Sequence, residues 1–440
     1  MRTVGFDFGT HQTKVCVENR EGAELQYEFF KFKDAKGVEQ YTLPSVLGVD
    51  KKGLVRYGYL SDEVSNTSGL LQSIKSLVSK QSGFDGKIVR YFKQATFTST
   101  SNNMSKMDAV YYSIWYISYI LFNLEAKYGQ DFAIQMGVPT DGERLNSQKQ
   151  LVVRILLSAY RLVEEVFKND KDAFLRTPIQ QLKEKTVFIP YSEDRKEEYN
   201  ILVFPEAYAC LMPLIKQNKI ASGMSLMIDI GGGTTDISFF TINKENQPQV
   251  FGLFSIDKGL NYLTDAMNYN RKRTSSNVES ASEILKDRRC TYEKEIESVC
   301  LNLNNSLAQE FRKQSRYSMS QLADVLKARP IIYTGGGSTF DIMRKPYLGF
   351  KDIIHISKKE WRSECVVDMN KISALGLCPI LSTSYGLSIS MTHDNIKCEP
   401  FRDIFKDVMK AAAEEEQEKR FLYGRAFGGF SYIDDWDAVK

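Results

Sequence analysis

Two short turns carry the residue types that phosphate and cation chemistry need. Asp7-Phe8-Gly9-Thr10 closes one apolar run, and Asp229-Ile230-Gly231-Gly232-Gly233-Thr234-Thr235 closes another. In each, a carboxylate ends the run and small residues follow it. Glycine lets the backbone approach a phosphate closely, so that exposed amides donate to its oxygens. The hydroxyls of Thr10, Thr234 and Thr235 add donors. Asp7 and Asp229 would repel a phosphate unless a cation lies between, which predicts Mg²⁺ held through waters. A third run, Gly335-Gly336-Gly337-Ser338, follows the apolar Ile331-Ile332-Tyr333. Either turn alone is explained by an ordinary glycine turn with a capping aspartate. Two in register, followed by the third run, are not.

The flanking pattern says what must position these turns. Val4 to Phe8 reads as a strand, with the alternating run His11 to Asn19 as its hairpin partner. Short elements are expected at Ser45 to Val49 (strand) and Ser73 to Ser79 (helix). Apolar periodicity predicts helices from about Met107 to Tyr128 and from Ser147 to Phe167, with a buried strand at Phe132 to Val138 between them. The Lys- and Glu-rich stretch Lys168 to Asn200 reads as a surface excursion. Leu202 to Phe204 is strand-like, and Pro205 opens a helix ending near Asn218. The pattern then restarts, with strands at Ser225 to Ile230 and Asp236 to Thr241 around the second glycine turn. One strand-turn-strand unit occurring twice points to a duplicated, two-lobed fold. A helical region at Leu260 to Lys327, a strand at Ile331 to Tyr333 and a helix around Leu381 to Met391 complete the second half.

Composition narrows the classes. The chain has 440 residues, enough for a large two-lobed body. Its formal net charge of +3 gives no support for a nucleic-acid binder held by bulk electrostatics. No apolar stretch is long enough to span a bilayer. The seven cysteines (Cys16, Cys210, Cys290, Cys300, Cys365, Cys378, Cys398) are scattered, and the three histidines do not cluster. The expectation is a reduced, cytoplasmic protein without a disulfide scaffold or structural metal site.

The three glycine motifs, in this order, resemble those of the actin-like ATPase superfamily, which includes sugar kinases, actins and heat-shock chaperones. The resemblance implies an α/β, duplicated two-lobed actin-like fold with the nucleotide cleft between the lobes. It implies ATP or ADP, with Mg²⁺, clamped by the first motif (Gly9, Thr10) and the second (Gly231, Gly232, Gly233, Thr234, Thr235). Asp7 and Asp229 would hold the metal, and Gly335, Gly336, Gly337 and Ser338 would carry the adenosine. The implied boundaries are 1–218 for the first lobe, with a small subdomain at about 31–105. The second lobe is 219–396, with a helical subdomain at about 258–328. A C-terminal helix and tail occupy 397–440.

Within the superfamily the chain is most similar to the nucleotide-binding part of DnaK-type chaperones. Leu43-Pro44-Ser45-Val46 resembles their Pro-Ser-Val segment. Ser73-Ile74-Lys75-Ser76-Leu77 resembles the segment whose lysine reaches the γ-phosphate. Gly137-Val138-Pro139-Thr140 matches their strand end, and Phe204-Pro205-Glu206-Ala207-Tyr208-Ala209 their Glu-Pro-Thr-Ala-Ala segment. Glu310 and Lys313 keep the Glu-x-x-Lys spacing of the adenine-pocket helix. Pro379 with Tyr385-Gly386 resembles the helix that returns to the first lobe. The resemblance implies that Lys75, Glu206 and Thr234 act in γ-phosphate cleavage. Departures are His11, a nucleotide-site candidate on the phosphate side where the family has a small hydroxyl residue; Gln314, in place of an arginine; Phe340, in place of the arginine that stacks on the adenine, whose ring could still stack on the base; and Ile380, in place of an acid.

No peptide-binding domain is expected after about residue 396. Phe401, Ile404, Phe405, Val408, Met409 and Ala412 share one helical face. Residues 421–440 then carry Tyr423, Phe427, Phe430, Tyr432 and Trp436 among glycines. Two readings of that tail stand: a flexible terminus, and a docking peptide for a partner protein or a neighbouring copy. The expected activity is a slow, Mg²⁺-dependent ATPase acting as a DnaK-like switch. The alternative is a filament-forming ATPase of the plasmid-segregation type, and no nucleic-acid or membrane partner is expected.

Overall fold

Strand β1 (Arg2–Phe8) buries every residue after Arg2, as a strand covered on both faces must. The chain turns after Gly9 and returns as β2 (Gln12–Glu21) and then β3 (Glu24–Phe29). On the other side lie β4 (Phe132–Val138) and β5 (Ile201–Pro205). This is a computed structural model. It describes residues 2–22, 24–34, 36–60, 84–97, 104–139, 144–217, 220, 225–242, 248–256, 258–259, 290–302, 305, 309, 330–339, 344–347 and 352–394.

The first sheet runs β5-β4-β1-β2-β3, and Leu43–Pro44 adds a short pairing to β2. The second contains β6 (Ser225–Ile230), β7 (Thr235–Ile242), β8 (Pro248–Ile256), β9 (Ile331–Thr334) and β10 (Ile353–His355). Its order is β8-β7-β6-β9-β10. Both sheets follow one plan. The first strand is central, an antiparallel meander lies on one side of it, and two parallel strands lie on the other. The chain is mixed α/β, and the strand-turn-strand unit read twice in the sequence occupies the same place in each sheet.

Five helices matter for the site: α1 (Phe92–Phe97), α2 (Lys106–Tyr128), α3 (Leu145–Tyr160), α4 (Glu206–Lys216) and α5 (Cys378–Ser388). Helix α2 starts at Ser105, whose hydroxyl accepts from the Asp108 amide, and it stops at Gly129. α2 and α3 pack with the first sheet in one core. α4 and α5 share a second core that holds Cys16 and Phe29 of the first sheet and Met227, Phe240 and Ile332 of the second. Two approaches there admit only glycine. A Cβ on Gly386 of α5 would lie 1.7 Å from the Ala209 carbonyl of α4, and one on Gly5 of β1 would lie 2.3 Å from the Ser384 carbonyl.

Two expectations change. The 168–200 stretch is not merely a surface excursion. It forms short helices at Lys171–Arg176, Ile179–Lys185 and Glu193–Glu198. Phe174 is buried against Tyr57, Phe122 and Phe167, and Trp115 donates to the Thr186 hydroxyl at 2.7 Å. A few apolar anchors in a charged run were enough to hold it to the core. The second long helix ends as an α-helix at Tyr160 and continues as a wider π-turn over Arg161–Val166. That turn keeps Leu162, Val163 and Phe167 all buried. Of the helical region at 260–327, only 290–302, 305 and 309 are described, and these are helical. Residues 73–79 and 397–440 lie outside the described residues.

One buried acid gives a stability prediction. On α2, neither oxygen of Glu125 has a hydrogen-bond partner in good geometry. Burial, then the charge of Glu164, pushes its pKa up from 4.5 to about 7. Between those values the folded chain holds a proton that the unfolded chain releases, so stability falls as pH rises through that window. Glu125→Gln should therefore raise the melting temperature at pH 8 and leave it nearly unchanged at pH 4. Thermal melts of the two proteins at both pH values test this.

Candidate functional site

The site assembles where the first hairpin of each sheet turns. Asp7 on β1 stands opposite Lys14 on β2, and the register makes them an ion pair at 2.9 Å. Asp229 on β6 stands opposite Asp236 on β7 and beside Thr334 on β9. The two turns touch: a Cβ on Gly233 would lie 2.8 Å from the Thr10 methyl. The Leu43-Pro44-Ser45-Val46 segment buttresses the first turn. The Ser45 hydroxyl donates to the Gly9 carbonyl at 2.6 Å, and the Ser45 amide donates to the His11 carbonyl. The third glycine run closes the set. Gly335 adopts φ +82° and a Cβ there would strike Asp229 Oδ1, so glycine is required on both counts.

Charge is the main feature of the site. Asp7, Glu206, Asp229 and Asp236 are all buried and lie within electrostatic reach of one another. Burial, then Glu206 and Asp7, pushes Asp229 up to about 7. Burial and Glu206, with a further push from Asp229, raise Asp236 to about 8. Two lysines oppose this charge. Lys14 holds Asp7, and Lys93 on α1 donates to Glu206 Oε1 at 2.8 Å with both side chains almost fully buried. Burial works against the Lys93 charge, but Glu206 and Asp7 outweigh it and hold its pKa above the ordinary lysine value. The four carboxyls outnumber the two lysines, and Asp236 Oδ1 has no hydrogen-bond partner in good geometry. Those two observations fit a cation. Among the described residues, no group of three or more His, Cys, Asp or Glu side chains is arranged to hold a metal directly.

The residues read from the sequence divide as follows. Asp7, Gly9, Thr10, Glu206, Asp229, Gly231, Gly233, Thr234 and Gly335 come together. Gly232 lies in the same turn, and Gly336 and Gly337 continue from Gly335 in a short 3₁₀ turn. His11 is half-buried, and burial, with Arg90 and Lys14 nearby, lowers its pKa to about 4, so it is neutral. Two hydroxyls are engaged within the protein. Thr235 is buried and donates to the Lys258 carbonyl at 2.8 Å. Ser338 donates to the Gly335 carbonyl at 2.8 Å. Lys75, Glu310, Lys313 and Phe340 lie outside the described residues. Lys14 and Lys93 were missed. Lys14 was legible, because a tight hairpin centred after Gly9 puts it opposite Asp7. Lys93 has no local signal.

The third run has its own brace. The Arg344 Nη1 lies 3.0 Å from His355 Nδ1 and also donates to the Ser338 carbonyl. A guanidinium only donates, so Nδ1 accepts and the ring proton sits on Nε2. That proton faces the Ser338 hydroxyl at 3.2 Å. Burial and the Arg344 charge lower the histidine pKa to about 4, keeping the ring neutral. Cys210 lies 3.8 Å from Asp229, and burial raises its thiol pKa well above the ordinary value, so it is no nucleophile.

No protein-family model matches the chain, and no curated protein matches it. The comparison with solved structures finds an archaeal actin homolog. The native crystal form is 16% identical, covers 88% of this chain and 98% of its own, and superposes with a TM-score of 0.41. The complex of that homolog with ADP is 15% identical over the same shares, also at 0.41. A likeness this loose assigns neither a residue nor an activity.

Proposed function

We propose that this chain is an actin-like ATPase that binds ATP or ADP with Mg²⁺ between its two glycine turns and hydrolyses ATP slowly. The observation that carries the reading is the sheet plan repeated twice, with the two first hairpins meeting at Thr10 and Gly233 above a buried acidic cluster. On this reading the amides of Gly9, Thr10 and Gly231 to Thr234 hold the phosphates. Asp7 and Asp229 would hold Mg²⁺, which would supply positive charge against the phosphates. Lys93 donates to the γ-phosphoryl oxygens, and Glu206 orients the attacking water. The lobes 1–218 and 219–396 close about the nucleotide.

For the output, nucleotide-controlled assembly of the actin-like kind is the reading we adopt. The DnaK-like switch drew on Lys75, Glu310 and Lys313, none of them among the described residues, besides the Leu43 to Val46, Phe204 to Ala209 and Pro379 segments, and the lysine at Glu206 is Lys93. Sedimentation of the full chain with and without ATP and Mg²⁺ tests it. Assembly predicts material that pellets with ATP and Mg²⁺ and is released on hydrolysis. A chain that hydrolyses ATP but never pellets supports the switch instead.

The brace on the third glycine run yields a further expectation. His355→Ala removes partners from both Ser338 and Arg344, each hydrogen bond contributing about 0.5–1.5 kcal/mol. ADP affinity should fall by about tenfold, near 1.4 kcal/mol. Titration calorimetry checks this, and unchanged affinity would show that the turn holds its shape without the histidine.

A further inference from the structure

A cavity lies apart from the acidic cluster, between β2, β3, the end of α4 and α5. Its volume is about 220 Å³. That is below the ~300–1,000 Å³ of small-molecule sites and suits one large side chain. Tyr27 and Tyr385 form an aromatic wall, their rings edge to face at 4.9 Å. Arg20, Lys216 and Arg362 form a basic rim. The rim is only partly neutralised. Arg20 reaches Glu18 at 3.2 Å with most of its side chain exposed, and Arg362 meets Glu364 at a long 3.5 Å. Among the described residues Lys216 has no ion-pair partner.

The wall and rim are complementary to one run of this chain. Asp434-Asp435-Trp436-Asp437 places three acids around an indole. The chain also passes the cavity on its way to that run, since Ile389 lines it and Asp394 is the last described residue before it. The forty positions from Asp394 to Asp434 are ample, at up to ~3.3–3.6 Å each, to return to the cavity. We propose that this cavity receives Trp436 of the same chain, with Asp434, Asp435 and Asp437 paired to Arg20, Lys216 and Arg362. Tryptophan is a frequent anchor in such pockets, and tethering supplies an effective concentration in the millimolar range.

The test is site-specific photocrosslinking in the full chain. A p-benzoylphenylalanine residue replaces Trp436, and adducts are mapped by mass spectrometry in a mixture of isotope-labelled and unlabelled protein. The proposal predicts adducts on the segments around Tyr27, Pro213 to Lys216 and Arg362, joining residues of one chain. Reversing the rim with Arg20→Glu, Lys216→Glu and Arg362→Glu should cut their yield at least about fivefold. Adding Asp434→Lys, Asp435→Lys and Asp437→Lys should restore it. Adducts elsewhere, adducts joining labelled to unlabelled chains, no adducts, or a yield indifferent to charge reversal would each overturn it.

Discussion

Gly386→Ala should abolish the cooperative unfolding transition or lower its midpoint by many degrees. The added methyl would sit 1.7 Å from the Ala209 carbonyl, a backbone atom that cannot move without parting α4 from α5. Overpacking a core costs typically 1–3 kcal/mol when side chains can give way. Here helices must separate, and a whole domain is stable by only about 5–15 kcal/mol. The effect also reaches the site. α4 begins at Glu206, and α5 begins beside Pro379, whose carbonyl accepts from the Gly335 amide and the Thr334 hydroxyl. Gly336→Ala is the control, because a Cβ there meets nothing within 4 Å. Thermal melts should separate the two variants clearly, and equal melting temperatures would contradict the packing described.

Lys93→Met should destabilise the fold by about 3–5 kcal/mol, because it leaves Glu206 buried and charged among other acids. Loss of stability alone would not identify a catalytic role. Lys93→Met combined with Glu206→Gln removes both charges, and such neutral replacement of a buried pair is often tolerated. The double variant should recover most of the lost stability and still lack ATP turnover. Recovered folding with parental turnover would make the pair purely structural. An undisturbed single variant would mean that Glu206 is not buried as described.

What the sequence disclosed follows from how local each signal is. The hairpins were legible because alternation around a glycine turn fixes both strands and their register. The repeat was legible because an acid followed by small residues recurs in the same setting. Short edge strands such as β3 and β10 left no such mark. The long-range pair Lys93–Glu206 is brought together by the packing of α1 against the sheet end, which no spacing records. Phe174 and Leu182 were hidden by the charged residues around them, although burying them is what fixes residues 171–185 to the core. The hydroxyl of Thr235 shows the converse error. Its residue type suited a phosphate, but the strand pleat turns it inward to the Lys258 carbonyl.

The central claim is that a nucleotide sits between the two turns, and titration calorimetry on the full chain tests it most directly. ADP and ATP should each bind one to one. Affinity should weaken when Mg²⁺ is chelated, and Asp229→Asn should remove that dependence on the metal. A folded chain that gives no binding heat with either nucleotide across a range of temperatures, with or without Mg²⁺, would contradict the account.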